Sequence, residues 1–147
     1  METSATFQIV HAKSQKVLDI YAGGKHSEAN VTIYEAHHGQ NQRWGIFNNE
    51  DGTVQIINPI SGKALDVNRG DTANTPAGTN VQIYDVNGSN AQKWRIKPIE
   101  RGLCKLLHAC SGMALNVKDG GVSNATNVEV WRENDSDAQK WEIRRIN

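Results

Sequence analysis

Two stretches of this chain set an acid and an aromatic ring where a ligand could use both. In Leu18-Asp19-Ile20 the strand alternation turns Leu18 and Ile20 one way and Asp19 the other, and in Val31-Thr32-Ile33-Tyr34 it leaves Thr32 and Tyr34 opposite the aliphatic pair. If the aliphatic residues face a core, Asp19 and Tyr34 share the outer face. The same logic exposes Asp66 with Gln82 and Tyr84, and Asn116 with Glu129 and Trp131. A carboxylate accepts hydroxyl hydrogen bonds of the stronger, charge-assisted kind. An aromatic ring offers a flat apolar platform. Together they suit a pyranose, which presents hydroxyls at its edge and C–H groups on its face.

The elements that must position these residues recur three times. Gln42-Arg43-Trp44, Gln92-Lys93-Trp94 and Gln139-Lys140-Trp141 each close one third of the chain, with spacings of 50 and 47 residues between the tryptophans. Upstream, Phe7–Ile20, Val54–Val67 and Cys104–Val117 align over fourteen residues without a gap. Each reads as an apolar β run, a turn at Ser14, Ser61 or Ser111, and a short strand. Gly62 and Gly112 suit the tight turn, and Pro59 falls between strands. Polar loops follow at 21–30, 68–80 and 118–127. Then comes a second alternating strand, whose aromatic stands ten residues before the tryptophan in every copy. No segment sustains a 3.6-residue apolar period, so the chain is all-β, a sandwich or a barrel. Units this small cannot bury their own apolar faces, and three equal units favour a closed pseudo-threefold arrangement around one core. We expect a single domain over 1–147, with repeats at about 7–52, 53–102 and 103–147.

Composition narrows the function classes. The 147 residues carry 16 basic and 16 acidic side chains, for a formal net charge of zero. That balance argues against a nucleic-acid partner and against a polybasic membrane patch. No run of 18 apolar residues exists, which predicts no transmembrane helix. The polar, acidic start lacks the pattern of a secretory leader. The two cysteines, Cys104 and Cys110, are too few for a disulfide scaffold, and with His108 between them they make only a weak metal signal. Reduced thiols and no leader predict a cytoplasmic protein or one released by a non-classical route. No cofactor is expected.

Three copies of Leu-Asp/Asn-x, an aromatic and Gln-x-Trp, in register from Phe7 to Ile143, resemble the ricin B-type lectins. The resemblance implies a β-trefoil of twelve strands, a six-stranded barrel closed by three hairpins. It implies non-catalytic, multivalent binding of galactose or N-acetylgalactosamine-type sugars on glycoproteins or glycolipids; a homodimer is compatible with the sequence but is not implied by the resemblance. It also adds polar site positions: His37, Asn87 and Asn134 three residues after the aromatic, and Asn41 before the glutamine, where the later repeats have Ala91 and Ala138. The implied sugar-binding set is Asp19, Tyr34, His37 and Asn41; Asp66, Gln82, Tyr84 and Asn87; and Asn116, Trp131 and Asn134. The first repeat looks most complete and the third least, since Asn116 lacks the charge. Asn90, beside Ala91, is a possible substitute in the second. The disulfide found in each repeat of many secreted relatives is missing: Val17, Ala64 and Ala114 stand at one of its positions.

Other readings of the same residues stay open. The aspartates could cap turns, and the tyrosines could pack on the barrel rim. Gln42, Gln92 and Gln139 read as scaffold that satisfies backbone groups, and Trp44, Trp94 and Trp141 as core. His37-His38 could be a metal pair or plain surface. Glycoside hydrolysis needs two carboxylates in one cleft, and each site shows at most one near its aromatic. Asp135 and Asp137 read as solvated. A trefoil could also serve as a protease inhibitor or as an assembly subunit with vestigial sugar sites.

Overall fold

The computed structural model describes residues 5–146. They form twelve strands and no α-helix. The first repeat contributes β1 (Thr6–His11), β2 (Val17–Ile20), β3 (Val31–Tyr34) and β4 (Gly45–Asn48). The second contributes β5 (Val54–Asn58), β6 (Lys63–Val67), β7 (Val81–Tyr84) and β8 (Trp94–Pro98), and the third β9 (Cys104–His108), β10 (Ala114–Val117), β11 (Thr126–Trp131) and β12 (Trp141–Ile146). The first and fourth strands of each repeat make the barrel. The ring runs β1–β12–β9–β8–β5–β4, and a bridge between Phe7 and Trp44 returns it to β1. The second and third strands form the hairpins β2–β3, β6–β7 and β10–β11, which cap one end. This is the closed threefold arrangement that the repeats favoured and the β-trefoil that the resemblance implied.

The core follows from the alternation. Leu18, Leu65 and Leu115 occupy equivalent places, as do Ile9, Ile56 and Leu106, and all six are fully buried with Trp44, Trp94 and Trp141. A buried indole needs a partner for its N–H. Each Trp donates to the carbonyl of its own repeat's leucine: Leu18 at 3.2 Å, Leu65 at 3.0 Å and Leu115 at 3.1 Å. The turns between the first two strands are set locally. Ser14, Ser61 and Ser111 accept from the backbone N–H two residues on, and Gly62 and Gly112 take positive φ of 71° and 76°. The buried side chains of His11, Asn58 and His108 begin these turns. His11 Nδ1 pairs with Ser14 and its Nε2 with the Asp137 carbonyl, while Asn58 donates to the carbonyls of Gln40 and Arg43.

Where the three hairpins meet, Asn30, Asn80 and Asn127 form a closed ring. Asn30 donates to Asn127 at 2.8 Å, Asn127 to Asn80 at 2.8 Å, and Asn80 to Asn30 at 2.7 Å. One asparagine therefore serves two repeats at once. Asn80→Ala removes two of the three bonds and leaves a donor on Asn127 and an acceptor on Asn30 without partners. We expect a loss of about 1–3 kcal/mol in chemical denaturation, since orphaned polar groups cost more than a bond gains. Unchanged stability would mean the ring adds nothing to repeat docking.

Candidate functional site

The hairpin strands carry the site residues, and the Gln-x-Trp segment roofs them. In each repeat that segment begins with a single 3-10 turn: Gln40–Gln42, Asn90–Gln92 or Asp137–Gln139. The turn brings the glutamine back over the outer face of the first hairpin strand. This corrects the expectation that Asp19, Asp66, Asn116, Gln82 and Glu129 are exposed. They do point away from the core, but they are only 3%, 4%, 6%, 6% and 7% exposed because a polar layer covers them. A four-residue strand has no local signal for a roof that arrives more than 20 residues later.

That layer fixes the first carboxylate. Gln42 Nε2 donates to Asp19 Oδ2 at 2.8 Å and to the Glu35 carbonyl at 2.9 Å, while Gln42 Oε1 accepts from the His37 backbone N–H at 3.0 Å. The glutamine is thus a backbone brace, as read from the sequence, and also a clamp on the acid. Asn41 Nδ2 reaches Asp19 Oδ2 at 3.2 Å and the Ile20 carbonyl at 2.9 Å. His37 Nδ1 accepts from the Gly39 N–H, so the neutral ring carries its proton on Nε2, which lies 3.8 Å from Asp19 Oδ2. That gap exceeds a hydrogen bond. Tyr34 stands half-buried beside His37, with ring centroids 6.1 Å apart and an edge-on geometry. These residues surround a shallow cavity of about 480 Å³.

The second cavity, about 370 Å³, gathers Asp66, Gln82, Tyr84, Asn87 and Ala91. Gln92 holds Asp66 Oδ2 at 2.9 Å and Gln82 holds Oδ1 at 3.1 Å. Asn87 lines the rim, but its Oδ1 is taken by the Ser89 N–H. Asn90 does not line the cavity, and its backbone N–H is bound to Asp71, so it does not replace the missing polar group at Ala91. The third cavity, about 680 Å³, gathers Asn116, Trp131, Asn134 and Ala138. Gln139 donates to Asn116 Oδ1 at 3.1 Å, and Asn134 Oδ1 accepts from the Ser136 N–H. Trp131 is 40% exposed, unlike the three core tryptophans.

Two features escaped the sequence. Just after the first hairpin strand, Ala22, Arg69 and Asp119 sit in the left-handed region at φ 56°, 54° and 54°, and all three line their cavities. Such a backbone costs an L-residue about 1–2 kcal/mol and commonly marks a working site. With alanine, arginine and aspartate there in place of glycine, residue type gave no signal. The second is the acid count. The first cavity holds one carboxylate as expected, but Glu28 and Asp71 join Asp66, and Asp119, Glu129, Asp135 and Asp137 meet in the third. Only Asp19, Asp66 and Glu129 are buried; the rest are on exposed loops. Among the described residues no cluster of three metal-ligating side chains occurs, and His37 faces Asp19.

Burial pushes the carboxyls of Asp19 and Asp66 above their ordinary value, against the opposing pull of the glutamine N–H donors. Glu129 is raised for the same reason, against its Asn116 donor. An acid held in a polar cup beside an aromatic ring, three times around a barrel, defines a trefoil of the ligand-binding kind. The chain belongs to the ricin-type beta-trefoil lectin domain family, whose model matches residues 5–141. It is similar to ThreeFoil, a designed threefold-symmetric protein, at 33% identity and a TM-score of 0.90, covering 96% of this chain and 99% of that one. A ricin B-like lectin of Macrolepiota procera in complex with lactose has a TM-score of 0.81 at 19% identity, with 99% of both chains covered. The exo-beta-1,3-galactanase 1,3Gal43A of Clostridium thermocellum gives a TM-score of 0.92 at 23% identity, with 99% of this chain matching 31% of the enzyme. No curated protein matches the chain by sequence.

Proposed function

We propose that the chain is a non-catalytic lectin that binds galactose or N-acetylgalactosamine-type sugars reversibly through shallow sites on its repeats. The observation that carries this reading is the first cavity. There Asp19 is pinned by Gln42 and Asn41 at one wall, with Tyr34 and the His37 Nε2–H at the others. Two vicinal hydroxyls can donate to the carboxylate while the C–H face of the sugar lies on the tyrosine. His37 Nε2–H stands 3.8 Å from Asp19 Oδ2 as a donor to a hydroxyl oxygen, while Oδ1, which accepts from no donor among the described residues, is left for the hydroxyl protons. A single carboxylate in that cavity cannot supply both the proton donor and the base that hydrolysis requires.

Lactose is the first probe, because it is the sugar bound by the Macrolepiota procera lectin. Calorimetric titration with lactose and N-acetylgalactosamine is expected to show weak, saturable binding, and a glycan array to favour terminal galactosides. A folded protein that binds no glycan on the array would leave the inhibitor or assembly-subunit reading in its place.

Binding should weaken on acidification. Protonation removes the acceptor, and because burial raises the carboxyls, the loss begins above the ordinary carboxylate value of about 3.9. For stability the sign is opposite at these two groups. With a folded pKa above the unfolded one, each favours the folded state at low pH and loses that contribution as pH rises through its folded value. His11 and His108, lowered by burial, work the other way and cost stability as pH falls below about 6.5. Lactose affinity measured from pH 7 down to about 3.5, below the ordinary carboxylate value, with a melting curve at each point, separates the effects. Affinity that stays flat while the protein remains folded would remove the carboxylates from the site.

A further inference from the structure

Building on that sugar-binding reading, we infer that the third repeat carries a site anchored by Glu129 on β11, and that it takes a chain of sugars rather than one terminal unit. Cross-strand register carries the first half. Asp66 pairs with Gln82 and Asn116 with Glu129 at equivalent places in their hairpins. In the second repeat the acid stands on the first strand and the amide on the second, joined at 3.1 Å. In the third the amide stands first and the acid second, joined at 3.0 Å. The pair is the same with its members exchanged. Asn116 still accepts from the roofing glutamine, as Asp66 does, so the scaffold is intact and the charge has moved one strand over.

The new position is a working one. Glu129 lines the cavity, and Trp131, two residues on along β11, lies on the same face. The indole rests against Gly78 of the neighbouring repeat, where a Cβ would stand 3.4 Å from the ring. Gly78 has φ +89°, and the corresponding Glu28 and Ala125 carry side chains there. The second repeat thus meets the largest platform with a bare backbone, where the other two present a side chain.

Size carries the second half. The cavity is the largest of the three sites, and it shares Lys13 and Asp137 with an adjoining groove of about 500 Å³ that continues to Arg101 and Lys140. The groove offers a second polar trough beside the cavity, across the Lys13–Asp137 pair at their shared edge, within reach of a sugar chain that stacks one unit on Trp131.

Trp131 makes the site separately observable. Trp44, Trp94 and Trp141 are fully buried, so a change in tryptophan emission on adding sugar reports this cavity alone. The titration uses galactose, lactose and a linear galactotriose in an Asp19→Asn/Asp66→Asn background, which silences the other two sites. Galactotriose is expected to bind at least about tenfold tighter than galactose, and Glu129→Gln to weaken it by about tenfold, as a charge-assisted bond becomes a neutral one. Adding Asn116→Asp to Glu129→Gln recreates the second repeat's pair and is expected to restore binding. Wild-type affinity in Glu129→Gln, or equal affinity for galactose and galactotriose, overturns the inference. Unchanged emission while calorimetry detects lactose on the wild-type protein also overturns it and leaves the lectin reading standing. Only silence in both measurements sinks the two together.

Discussion

Trp44→Ala is expected to destabilise the protein by about 3–5 kcal/mol, the range for truncating a buried aromatic, and to lower its melting temperature by about 10 °C or more. Trp44 is fully buried, and two losses add up at it. The indole leaves a cavity in the shared apolar core, and relaxation around such a cavity is only partial. The Leu18 carbonyl loses its 3.2 Å donor. The backbone bonds of 2.8 Å and 2.9 Å that residue 44 exchanges with Phe7 at the barrel seam are kept by alanine, so the loss is confined to the side chain. The control is Trp131→Ala, which removes the same side chain from a surface cavity and should barely move the melting curve. Equal effects in the two variants would overturn the division of tryptophans into core and site.

Asp19→Asn with Asp66→Asn is expected to abolish most agglutination while leaving the melting temperature nearly unchanged. Asparagine is tolerated at this place by the fold itself, since Asn116 accepts the Gln139 N–H just as the aspartates accept theirs. The substitution removes the charge and turns one carboxyl oxygen into an N–H donor; at residue 66 the Gln82 amide, which donates to Asp66 Oδ1, must turn over to accept from it. Losing two of three sites removes the avidity that joins weak contacts, worth about 10²–10⁴ in apparent affinity when spacing matches the target. A hemagglutination titre equal to wild type would show that the aspartates do not hold sugar. A titre lost together with the melting transition would show instead that they hold the hairpins.

The fold was almost wholly legible in the sequence. Three Gln-x-Trp segments in register, with matched alternation before them, sufficed to give the repeat, the closure and the core tryptophans. The site was legible only in part. Alternation placed Asp19, Asp66 and Asn116 on the correct face of their strands, because that depends on neighbours one residue away. It could not show their burial, because the roof is a glutamine from a turn some twenty residues later. Nor could it show that Asn87 and Asn134 spend their carbonyl oxygens on their own loops. Glu129 was placed on the right face, yet its exchange with Asn116 appears only once the strands are paired. The left-handed residues Ala22, Arg69 and Asp119 were invisible, since the turn that closes over each, between the N–H of Gly24, Gly70 or Gly121 and the carbonyl three residues before it, is made by the backbone and needs no glycine at that place. Those three side chains, one neutral, one cationic and one anionic, give each cavity a different rim on the same frame.

The asparagine ring has a further bearing on how such a chain can be cut. Each amide gives to one neighbour and takes from the other, so the circuit has a direction and closes only with three members. Two repeats alone would leave one donor and one acceptor facing water, together with an open barrel edge at the missing strands. A lone repeat would leave more. The number three is therefore written in side chains as well as in the backbone. A fragment of one repeat should settle only by gathering two further copies around the same axis, which makes the unbroken chain a covalently tethered trimer.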